Sequence, residues 1–81
     1  MRPEEIKRLI EAGVPGARAE VYGEDGAHYE AVVVAPAFAG KRTLDRHRMV
    51  YAALGGRVGR EIHALSLRTL APGEADETRG A

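Results

Sequence analysis

Ala31-Val32-Val33-Val34-Ala35 is the stretch that leaves this chain the fewest choices. Three consecutive β-branched residues between alanines suit a pleated strand far better than a helix, and Pro36 ends the run because proline cannot donate to a ladder. An apolar run that does not alternate belongs in the middle of a sheet, covered on both faces or nearly so. The strand is therefore read as His28 to Ala35 and placed at the centre of the sheet.

The elements around it follow from punctuation and periodicity. Pro3 suits a first helical turn, Glu4 and Glu5 favour the positive end of the helix dipole, and Ile6, Leu9 and Ile10 repeat at helical spacing. Gly13 is read as a left-handed stop, with Val14-Pro15-Gly16 forbidding continuation. Arg18 to Tyr22 alternates as a first strand, and Gly23-Glu24-Asp25-Gly26-Ala27 has the glycines and carboxylates of a hairpin loop. Beyond Pro36, Ala37-Phe38-Ala39 makes a short helical turn, and Thr43 is expected to cap a second main helix. That helix carries Leu44, His47, Tyr51 and Leu54 on one face and stops at Gly55-Gly56. A third strand alternates His63, Leu65 and Leu67 against Ala64, Ser66 and Arg68.

The element order is helix, strand, strand, helical pair, strand, or αββααβ. The short hairpin makes the first two strands antiparallel, whereas a return to the sheet through helices prefers a right-handed parallel crossover. The expected fold is α+β: a three-stranded mixed sheet in the order 1-2-3 with the helices packed on one face. At 81 residues only one small domain fits, read as 1–72, with 73–81 as a mobile tail lacking large apolar residues. No apolar run approaches the roughly 18 residues of a membrane span, and the charged start lacks a signal-peptide pattern, so a soluble cytoplasmic protein is expected.

The absence of cysteine excludes a disulfide framework, a thiol nucleophile and an all-protein thiolate metal site. Catalysis finds no support either: there is no nucleophile beside a base, no paired carboxylates at a recognisable spacing and no phosphate-binding glycine loop after a strand. Histidine and charge remain. The parallel pairing puts His28 and His63 at the same end of the sheet beside the loop that carries Asp25, on strands about 4.8 Å apart. Two imidazoles with an optional carboxylate suit iron, zinc or copper and leave coordination positions open for a partner. A single histidine at a strand start is more often a surface or hydrogen-bonded residue. His47, within the apolar stripe of its helix, is read as a buried hydrogen-bonded histidine, and Tyr22, Tyr29 and Tyr51 as core or sheet residues.

The net charge of zero conceals a local excess: six cations against Asp45 leave residues 41–60 at +5. Lys41, Arg42, Arg46 and Arg48 follow Gly40 at the start of a helix, where backbone amides already favour anions. They are candidates for contacting phosphates or an acidic partner, though a solvated basic face explains them equally well.

Phe38-Ala39-Gly40-Lys41, then Arg46-His47-Arg48-Met49-Val50-Tyr51, then His63-Ala64-Leu65 at the last strand together resemble the BolA family, and the resemblance runs from about Ile6 to Pro72. It implies a variant of the type II KH fold. It also implies a partnership with a monothiol glutaredoxin and a shared 2Fe-2S cluster, the other ligands being the glutaredoxin cysteine and a glutathione thiolate. The family's histidine ligand maps onto His63, and histidine ligation of one iron has a precedent in Rieske centres. Many relatives carry Cys or His in the first hairpin loop, where this chain has Asp25. His28 is preferred as the second ligand because imidazole is softer than carboxylate, with Asp25 kept as the alternative. Some members are described as DNA-binding regulators, but Gly40-Lys41-Arg42-Thr43 lacks the second glycine of a KH clamp. DNA and a second copy of the chain are the other partners this reading admits.

Overall fold

The computed structural model describes residues 1–74. Its three strands form one mixed sheet in the order β1-β2-β3, as the sequence predicts. β1 (Arg18–Tyr22) and β2 (His28–Val34) are antiparallel, with Tyr22 opposite Glu30. β3 (Ala64–Leu70) returns parallel to β2, placing His28 beside Ala64 and Val34 beside Leu70. Two α-helices, α1 (Pro3–Gly13) and α2 (Thr43–Leu54), and the short 3-10 turns Pro36–Phe38 and Gly55–Arg57 complete the architecture.

One core joins the helices to the inner face of the sheet. Ile6, Ile10, Val33, Phe38, Val50, Leu54 and Ile62 are fully buried in it, with Tyr29 and Ala31 nearly so. The expectation that β2 is covered on both faces is corrected, because Val32 and Val34 are half-exposed on the outer side. Both helices pack on one side only, and Arg18, Glu20, Glu30, Ser66 and Arg68 make the opposite side polar.

Gly13 is not a left-handed stop either, since it is the last helical residue and does not adopt positive φ. Its role is close approach: a Cβ there would lie 2.4 Å from the Ala53 Cβ of α2. The left-handed position is Gly16, at φ +71°.

Two expectations for α2 change. Thr43 is its first helical residue rather than its cap; Arg42 occupies the cap position and supplies no side-chain hydrogen bond. The buried residues are Val50 and Leu54, whereas Leu44 is 60% and Tyr51 40% exposed. His47 is half-buried, and its ring makes no hydrogen bond to the described residues. The inward face instead begins at Arg46, an arginine at the head of an apolar stripe that hydrophobic spacing cannot reveal.

Arg46 organises the far end of the molecule. Its side chain is 11% exposed and forms a bidentate pair with Glu74, Nη1 to Oε1 at 2.7 Å and Nη2 to Oε2 at 3.1 Å. It also donates to the carbonyls of Lys41 (2.9 Å) and Thr69 (3.2 Å), and its guanidinium lies 5.9 Å from the centre of the Phe38 ring. Glu74 Oε1 accepts in addition from the Ala71 amide at 2.9 Å. The ordered fold thus reaches at least to Glu74, beyond the boundary expected at Pro72; the rest of the expected tail lies outside the described residues.

Candidate functional site

The first hairpin loop is fixed from three directions. Asp25 Oδ1 accepts the amides of Ala27 (2.9 Å) and His28 (2.8 Å), closing an Asx turn around Gly26, which sits at φ +74°. From below, the buried Tyr29 hydroxyl donates to the Gly26 carbonyl at 3.0 Å and also contacts the Met1 carbonyl. Gly23 leaves room for that ring, since a Cβ there would stand 2.3 Å from Tyr29 Cδ1.

Asp25 then meets His28 a second time. Its other oxygen, Oδ2, lies 2.7 Å from His28 Nδ1, with both side chains largely exposed. The bonds from the His28 amide and ring, and then from the Ala27 amide, hold the Asp25 carboxyl well below the usual carboxylate range. Asp25, His28, Glu30, Tyr22 and Ser66 line a shallow depression on the outer edge of the sheet.

His63 stands one residue ahead of β3 rather than opening it, and it is exposed. The strand register begins one residue later because the Ala64 amide donates to the Ala27 carbonyl at 3.1 Å. That bond ties the chain on the C-terminal side of His63 to the loop on the N-terminal side of His28. Fully buried Ile62 anchors the other side of His63, its amide donating to the Arg57 carbonyl at 3.0 Å. The two histidines therefore share one end of the sheet but are out of step: His28 pairs with Ala64, and His63 falls in the alternation of Leu65 and Leu67. Among the described residues no three His, Asp or Glu side chains are grouped to hold a metal ion.

The basic residues separate into two kinds. Lys41, Arg42 and Arg48 are exposed around the start of α2, with Arg48 only 3.8 Å from Asp45 in an open ion pair. Arg46 is turned inward to Glu74 and is spent on holding the fold. Sequence reasoning missed this pair, as well as the part played by Tyr29 and Gly23 under the loop. A glutamate 28 residues from its arginine carries no periodic signal, and a tyrosine inside a strand looks like any other core residue.

A family model described as BolA-like protein matches residues 11–74. Over 49 residues the chain is 49% identical to Protein BOLA2 of Arabidopsis thaliana, covering 60% of this chain and 52% of that protein. Over 43 residues it is 42% identical to the DNA-binding transcriptional regulator BolA of Escherichia coli, covering 53% of this chain and 41% of the relative. The aligned stretches thus span about half of these relatives' own length. Among solved structures, a bolA protein homologue from Coxiella burnetii superposes with a TM-score of 0.83 at 45% identity, covering 94% of this chain and 97% of that one.

Proposed function

The chain belongs to the BolA-like protein family, and from that premise we propose that it is an adaptor which pairs with a monothiol glutaredoxin and shares a 2Fe-2S cluster with it. The role is in iron-sulfur cluster trafficking or iron homeostasis in the cytoplasm, and it requires no catalysis by this chain. His63 ligates iron, with His28 or Asp25 as its companion, while the glutaredoxin cysteine and a glutathione thiolate supply the sulfur.

The observation that supports this reading is the Ala64 to Ala27 hydrogen bond, which ties the backbone next to His63 to the backbone next to His28 at one end of the sheet. The donor set fits such a cluster: two exposed imidazoles can replace two thiolates on one iron, and a site without a third protein ligand depends on a partner. Binding of cluster-loaded glutaredoxin, followed by calorimetry, is expected for the native chain and lost in His63→Ala. Unchanged binding by the variant contradicts the assignment.

A second reading rests on the exposed Lys41, Arg42 and Arg48 about the N-terminus of α2, with Gly40 at φ +77° before it. Here the chain is a nucleic-acid-binding regulator, and the E. coli relative is named as one. Charge reversal at Arg42 and Arg48 then abolishes DNA binding, and binding weakens steeply with salt whatever stands at residue 63. Arg46 is unsuitable for this test because its replacement disturbs Glu74 and β3.

A further inference from the structure

Resting on the adaptor reading, we infer that Asp25 is a positioning residue rather than a ligand, fixing the proton of His28 on Nδ1 so that Nε2 keeps the free lone pair that would bind iron. Three observations bear on which of the two groups binds metal. Asp25 Oδ1 already accepts two backbone amides, at 2.9 and 2.8 Å. Its Oδ2 is 2.7 Å from His28 Nδ1. A carboxylate accepts only, so when the imidazole is neutral the proton of that bond must sit on Nδ1. Oδ1 is thus fully engaged and Oδ2 keeps a single lone pair beside the His28 ring, so Asp25 has little to offer a metal while it holds the loop and the imidazole.

His28 is in the opposite position. Its ring is exposed and fastened at Nδ1, which leaves Nε2 unprotonated in the neutral form. Metal-bound histidines commonly donate their other ring N–H to a carboxylate in this way, which sets the tautomer, orients the ring and raises ligand basicity. The loop is also held without a metal, the Tyr29 hydroxyl donating to the Gly26 carbonyl from below.

The test is Asp25→Asn, read first in the isolated protein. An asparagine carbonyl can keep the Asx turn, but its amide N–H donates to Nδ1 and forces the proton onto Nε2, the reversal that makes an aspartate-to-asparagine change damaging in the serine-protease triad. Long-range 1H–15N correlation of the neutral imidazole is expected to report Nδ1–H in the native protein and Nε2–H in Asp25→Asn. In the complex with glutaredoxin and cluster, Asp25→Asn is expected to weaken cluster retention roughly 10- to 100-fold, as loss of a ligating histidine's hydrogen-bond acceptor does, and to add nothing in a His28→Ala background. An Nε2–H native tautomer, or a further loss in the His28→Ala background, overturns the inference. Failure of the adaptor reading itself shows separately, as a His63→Ala complex that keeps its cluster.

Discussion

Tyr29 joins the core to the loop: its ring is buried, yet its hydroxyl reaches the carbonyls of Gly26 and Met1. Tyr29→Phe keeps the ring and strands those acceptors, so chemical denaturation should show a loss of roughly 1–2 kcal/mol. The amide of Gly26 should exchange faster with solvent as the loop loosens. Thr69 presents the reverse case, a buried hydroxyl with no hydrogen-bond partner among the described residues. Thr69→Val removes that unsatisfied group at nearly constant shape and is expected to raise stability by about 1 kcal/mol, read as a higher denaturation midpoint at unchanged slope. At this scale the sequence exposed the identities of Asp25, His28 and His63 but not their relations. Nothing in the spacing of Asp25 and His28 shows that one carboxylate grips both the amide and the ring of the same histidine.

The elements were legible wherever punctuation and pattern agreed. Pro3, the β1 alternation and the glycine-rich hairpin formed what they foretold, and the valine run formed the central strand, though with only one face covered. The inward face of α2 was not legible, because its first inward residue is Arg46 and a charged side chain masks the stripe of Val50 and Leu54. Arg46 holds α2 to the end of β3 through Glu74, and this pair makes a pH-dependent prediction. Glu74 is held down to about 2 from an ordinary 4.5, first by the Arg46 guanidinium and then by the Ala71 amide. A depressed carboxyl contributes its stability fully above its unfolded pKa, so that contribution persists above pH 4.5 and is lost as pH falls toward 2. Urea midpoints measured between pH 7 and pH 2 should therefore start lower for Glu74→Gln than for the native chain and converge with it in acid. Parallel curves would show that the clamp contributes nothing.

At the scale of the whole molecule, a sheet covered on one face puts its open edge and its exposed histidines on the same small body. Strand order could be read from the chain, because a short hairpin and one helical crossover leave few topologies. The one-residue offset between His28 and His63 could not, since it depends on where the Ala64 amide finds its partner. No helix of the described residues is long and apolar enough to cross a membrane. In the proposed adaptor role, what the fold would offer a partner is the pair His28 and His63 at one end of the sheet. The most direct test is visible circular dichroism of cluster-loaded monothiol glutaredoxin with glutathione, titrated with the native chain and with His63→Ala. A new cluster spectrum is expected with the native chain, saturating at a fixed stoichiometry, and is expected to be absent with the variant. A native chain that leaves the spectrum unchanged, or a variant that reproduces the new one, would contradict the adaptor reading.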